Sequence, residues 1–99
     1  VGLLVCADLY GDSRLHARMV QTLGARLVAV SSWWTAAGAP NWPRHFARDW
    51  GVYVITANTS VGAGRGGGFF GPDGKVLTEH TEPKPGIVFG TLPRRTDAD

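Results

Sequence analysis

The chain has 99 residues, enough for one domain at most, with 43% apolar and 18% charged residues, the composition of an ordinary globular α/β protein. Its formal charge of +2 is a small excess with no run of five like charges, so neither nucleic acid nor a membrane surface is indicated as a partner. The single cysteine, Cys6, excludes an internal disulfide framework and a CxxC zinc ribbon, and fits a reducing, cytoplasmic compartment.

Residues 1–6 form an apolar run, too short for a helix and suited to a strand buried on both faces. A turn follows, and Asp12 or Ser13 can cap a helix over residues 13–23, with Leu15, Met19 and Leu23 on one side and Arg14 and Arg18 on the other. Gly24 suits its end, and Leu27-Val-Ala-Val-Ser31 reads as a second buried strand. Trp33 opens a loop that runs to Asn41. Asn41 can cap a second helix with Pro43 in its first turn, which runs to Trp50 and ends at Gly51. Residues 52–57, rich in β-branched and aromatic side chains, read as a third strand.

The pattern then changes. Residues 58–68 are a glycine-rich loop. Phe69-Phe70 and Val76-Leu77 flank Gly71-Pro-Asp-Gly74 as a β-hairpin, and residues 87–89 read as a short last strand. The expected fold class is therefore α/β, with β-α-β-α-β followed by a hairpin and a short strand. Residues 1–92 form the domain portion and residues 93–99 a polar tail. The chain starts at Val1 inside an apolar strand, so it reads as the later part of a longer domain, poorly soluble alone because a sheet edge and an apolar face stay uncovered.

Gly62-x-Gly64-x-x-Gly67 matches a dinucleotide fingerprint only in spacing, because a hairpin rather than a helix is expected after it. The three histidines, at 16, 45 and 80, fall in no metal-ligand spacing and read as surface or hydrogen-bonded groups; no metal or organic cofactor is expected. Of the adjacent Trp33 and Trp34, one is expected to face inward and the other a pocket or partner. Cys6 stands apart. It lies where a strand gives way to a turn and a helix, and α/β sheets bind ligands at the carboxyl ends of their strands. A thiol there can act as a nucleophile, with a backbone N–H of the turn, such as that of Ala7, facing a developing oxyanion.

Gly2-Leu-Leu-Val-Cys6-Ala-Asp8 resembles the nucleophile motif of the carbon–nitrogen hydrolases, the nitrilase superfamily. The resemblance continues in order through Leu23-Gly-Ala25, Leu27-Val-Ala-Val, Trp42, Ala47-Arg-Asp49, Val52-Tyr-Val-Ile, Ala57-Asn58 and Phe70-Gly-Pro-Asp-Gly-Lys-Val-Leu77. Three places depart from the family pattern: Leu9-Tyr-Gly11 after the acid, Arg48-Asp-Trp-Gly51 in the second helix, and Gly66-Gly-Gly68 before the hairpin.

The resemblance implies roughly the second half of an α-β-β-α sandwich, in a parent that is a homo-oligomer acting on a small amide or nitrile. It makes Cys6 the nucleophile, gives the Ala7 amide to the oxyanion and leaves Asp8 to fix the turn. The family's Glu base and Lys come from segments that precede the cysteine strand, and Lys75 and Lys84 match neither. An N-acyltransferase of the same fold, and a non-catalytic remnant that only binds or oligomerises, are the alternatives.

Overall fold

Three of the apolar runs become adjacent parallel strands in the computed structural model, which describes residues 1–59, 67–81, 87 and 89–93. Strands β1 (Gly2–Val5), β2 (Leu27–Ser31) and β3 (Tyr53–Ala57) stand in register, with Val5 opposite Ser31 and Ser31 opposite Ala57. Strands β4 (Gly67–Phe70) and β5 (Val76–His80) add to β3 antiparallel, so the sheet order follows the chain order. The hairpin turn falls at Gly71-Pro-Asp-Gly74, where the Gly71 amide donates to Lys75 O and the Gly74 amide to Gly71 O, each at 2.9 Å.

Helices α1 (Ser13–Ala17) and α2 (Asn41–Trp50) connect the parallel strands. Both helices lie on one face of the sheet, where His16 of α1 packs edge-on against Phe46 of α2. The core lies there: Val28, Val30, Val54 and Phe70, alternating along their strands, meet Phe46 and Ala47 of α2. Burial of side chains of this size contributes roughly 1.5–3 kcal/mol each, which fixes the register of every strand that carries one. Gly51, at φ +64°, adopts the left-handed conformation that ends α2 as expected.

Several expectations are corrected. β1 is an edge strand with one open face, not a strand buried on both, since Leu3 is 77% and Val5 64% exposed. The first helix is regular only to Ala17 and continues as a π-type turn over Arg18–Thr22. That wider turn shifts the phase of the residues within and after it. His16, Met19 and Val20 face the core, while Leu15 and Leu23 stay exposed. Asp12 is the cap, its carboxylate accepting from the Arg14 amide at 2.9 Å. Asn41 is the first residue of α2 rather than its cap. The short last strand does not form at Ile87 or Phe89, both exposed outside the sheet, and residue 88 lies outside the described residues, as do 94–99 of the polar tail.

Of the glycine motif, Gly62 and Gly64 also lie outside the described residues, while Gly67 opens a strand rather than a helix. A Cβ at Gly67 would stand 2.5 Å from the Thr56 carbonyl oxygen, so close strand packing accounts for this glycine without a bound phosphate. Among the described residues no helix is long and apolar enough to cross a membrane.

Candidate active site

Cys6 follows directly on β1 at the carboxyl end of the sheet. It is half-buried and packs against the core cluster. Its φ is +50°, the one positive value at a non-glycine position among the described residues. Such a conformation costs on the order of 1 kcal/mol or more and persists where surrounding contacts enforce it, which happens disproportionately at functional sites.

The enforcing contacts come from the 3-10 turn Cys6–Tyr10. The Asp8 carboxylate accepts from the Val5 amide at 3.1 Å, bracing the bend from the residue before the cysteine to the second residue after it. The Asp8 carbonyl is held from the other side. It accepts from the Gly11 amide at 3.4 Å and lies 2.6 Å from His16 Nε2, and since a carbonyl can only accept, Nε2 carries the proton. His16 is buried edge-on against Phe46, with ring centroids 4.8 Å apart, which fixes the imidazole under the turn. Sequence reasoning left His16 as one of three unassigned histidines. Its distance of eight residues from Asp8 spans a turn and the start of a helix, so no local spacing rule points to the contact.

The first amides of a helical turn have no intrahelical acceptor, and that of Ala7 is among them, next to the thiol. Ala7 is exposed. The tryptophan pair divides: Trp34 is buried at 7% exposure and Trp33 is exposed at 69%. The Trp34 ring lies 6.3 Å from Tyr10, the last residue of the cysteine turn, and 5.0 Å from Trp42 of α2 at near right angles. The structure thus brings Cys6, Ala7, Asp8 and Trp34 to one end of the sheet, and turns Trp33 away from the core.

Two concavities flank this region. A groove of about 330 Å³ runs behind the turn between Tyr10, His16, Trp42 and Asp49; Cys6 is not among its walls. A cavity of about 10 Å³, room for one water-sized group, lies between Trp34, Asn58, Thr56 and Glu79. Among the described residues no three His, Cys, Asp or Glu side chains converge as a metal-binding group. Lys75 is in the hairpin turn, 3.8 Å from Asp73, and Lys84 lies outside the described residues.

No protein-family model matches the chain, and no curated protein matches it. Solved structures do. Nit3 of Saccharomyces cerevisiae, a member of branch 10 of the nitrilase superfamily, superposes with a TM-score of 0.65 over 82% of this chain at 21% identity. A variant of the amidase from Nesterenkonia sp. AN1, with the acetamide moiety of fluoroacetamide covalently added at its active-site cysteine, superposes with a TM-score of 0.62 over 87% at 26% identity. The chain covers 33% of the first structure and 35% of the second, about a third of each. The five-stranded sheet with its two helices is a nitrilase-type α/β fold. The motif resemblance points to the superfamily of the first neighbour, and the second neighbour is an amidase.

Proposed function

We propose that Cys6 is the nucleophile of a carbon–nitrogen hydrolase that cleaves a small amide or nitrile through a thioester acyl-enzyme. The observation that carries this reading is the Cys6 backbone: a positive φ at the carboxyl end of a strand, braced by the Asp8 carboxylate on the Val5 amide. That geometry lifts one side chain out of the strand's alternation and sets it beside a helical-turn amide that has no intrahelical acceptor. The amidase neighbour, modified at its active-site cysteine, supports the same chemistry.

In an amide substrate the thiolate attacks the carbonyl carbon. The C–S bond forms as the carbonyl π electrons move to oxygen, and the Ala7 N–H donates to that oxyanion. Collapse of the tetrahedral species breaks the C–N bond, and the amine leaves with a proton from a general acid. Water then adds to the thioester, the C–S bond breaks, and the products are a carboxylic acid and the restored thiolate. Asp8, its carboxylate already engaged by Val5, acts on the turn rather than on the proton. The resemblance also calls for a Glu base and a Lys, roles to which no residue of this chain is assigned.

The test is release of free ammonia from a panel of small amides and nitriles by the protein and by its Cys6→Ala and Cys6→Ser variants. Ammonia release by the wild type and its loss in both variants is the expected result. Ammonia release with the acyl group recovered on an added amine, rather than as the free carboxylic acid, would make it an acyltransferase instead.

A further inference from the structure

We propose that Asn58 is a positioning residue for the cysteine site: it locks the segment after β2 so that Trp34 forms a fixed wall beside the Cys6 turn, and thereby sets the size of acyl group that reaches the thiol. The inference rests on the reading of Cys6 as the nucleophile and adds a specificity device to it.

Three observations carry it. First, the strand register aligns the residues concerned. Val5, Ser31 and Ala57 form the last paired row of the three parallel strands, so Cys6, Ser32 and Asn58 are the next row, each one step beyond its strand. Neighbouring strands stand about 4.8 Å apart, which places Ser32 between the cysteine and the asparagine.

Second, one side chain closes three hydrogen bonds on that segment. Asn58 Oδ1 accepts from Ser32 Oγ at 2.9 Å and from the Trp34 amide at 2.7 Å, and Asn58 Nδ2 donates to the Trp34 carbonyl at 2.9 Å. The Trp34 amide can only donate and its carbonyl only accept, so the two partners fix which way the Asn58 amide faces. A side chain with an acceptor and a donor on adjacent atoms is required. Leucine has neither and ionised aspartate lacks the donor.

Third, Trp34 depends on that clamp for its orientation. Its indole Nε1 is buried with no hydrogen-bond partner among the described residues. Nothing among them therefore anchors the polar edge of the ring. Its pose follows from the clamped backbone and from packing against Tyr10 and Trp42. Tyr10 belongs to the same turn as Cys6, so a displaced Trp34 is felt at the thiol's surroundings.

The test compares alkylation of Cys6 by a small reagent, iodoacetamide, and by a bulky one, N-phenyl iodoacetamide, read as second-order rates from the mass of the Cys6 peptide. In Asn58→Leu the bulky-to-small rate ratio shifts by at least about fivefold while the iodoacetamide rate stays within about twofold, a specificity change rather than a loss of reactivity. Trp34→Ala shifts the ratio to a similar degree, and adding Asn58→Leu to it produces no further shift, because the asparagine acts through the tryptophan. Asn58→Asp keeps two of the three bonds and gives an intermediate ratio. A wild-type ratio in folded Asn58→Leu, or a full additive shift in the double variant, overturns the proposal. Should Asn58→Leu fail to fold, a wild-type ratio in Asn58→Asp overturns it equally. The absolute iodoacetamide rate judges Cys6 separately: a rate no faster than that of a free cysteine peptide counts against the nucleophile, and leaves the ratio to judge Asn58.

Discussion

The Asp8 carboxylate accepts a hydrogen bond from the Val5 amide, 3.1 Å away, so that the residue before Cys6 is tied to the second residue after it. That single contact spans the bend at which the chain leaves β1 with a φ of +50°. It converts the second half of the motif, the acid two places after the cysteine, from a sequence pattern into a mechanical part.

Removing that part should loosen the cysteine. Asp8→Ala is expected to cost about 1 kcal/mol of stability, the ordinary net value of one hydrogen bond, and to slow Cys6 alkylation several-fold. Asp8→Asn keeps an acceptor oxygen and should lose less than half as much of either. Denaturant midpoints and alkylation rates measured on both variants check this; equal losses in the two would mean that the carboxylate's charge, not its geometry, matters.

The strain at Cys6 has its own signature. Glycine adopts a positive φ at little steric cost, so Cys6→Gly should be more stable than Cys6→Ala by about 1 kcal/mol, against the usual ordering of these two residues. Urea unfolding of the pair reads the difference directly. Alanine as the more stable variant would show that the turn relaxes once the thiol is gone.

Much of the fold was legible in the sequence. The β-α-β-α-β order, the hairpin at Gly71-Pro-Asp-Gly74 and the helix end at Gly51 follow from apolar periodicity and turn chemistry, which are local. The failures are also physical. An edge strand and a central strand can carry the same apolar run, and only the sheet order tells them apart; Leu3 and Val5 are exposed because β1 has one neighbour and one open face. The π-type turn at Arg18–Thr22 accompanies a core-facing stripe of buried His16 and half-buried Met19 and Val20 in place of Leu15 and Leu23, a shift that no fixed period of 3.6 anticipates. At the site, Cys6 and Asp8 were legible as a motif, whereas His16 and the Asn58 clamp bring together residues 8 and 24–26 positions apart.

That corrected stripe predicts a contrast between two apolar residues. Phe46→Ala removes a buried ring from the helix-side core and should cost about 3–5 kcal/mol. Leu15→Ala, on the exposed side of α1, should stay within about 0.5 kcal/mol of wild type. Thermal or urea unfolding of the two variants decides it. A large loss at Leu15 would restore the stripe expected from the sequence.

Acid should weaken the start of α1. The side chain of Arg14, and then its backbone amide, hold the Asp12 carboxyl below its ordinary pKa. A group depressed in the folded state stabilises it above the unfolded value, and that contribution is lost as pH falls through the lower, folded value. The effect is small because Asp12 is solvent-exposed. Amide exchange at Arg14 should accelerate relative to the core strands as the pH falls through that range, and Asp12→Asn should remove the pH dependence while keeping a capping oxygen. An unchanged profile in Asp12→Asn would assign the acid response to another carboxylate.

The central claim, that Cys6 forms a covalent acyl-enzyme, is tested most directly by acid-quenched mass spectrometry of the protein turning over a small amide. The expected result is a mass increase equal to the acyl group on the peptide that contains Cys6, discharged by hydroxylamine as a thioester is, and absent in Cys6→Ala. Amide turnover with no adduct on that peptide, or turnover that survives in Cys6→Ala, would contradict it.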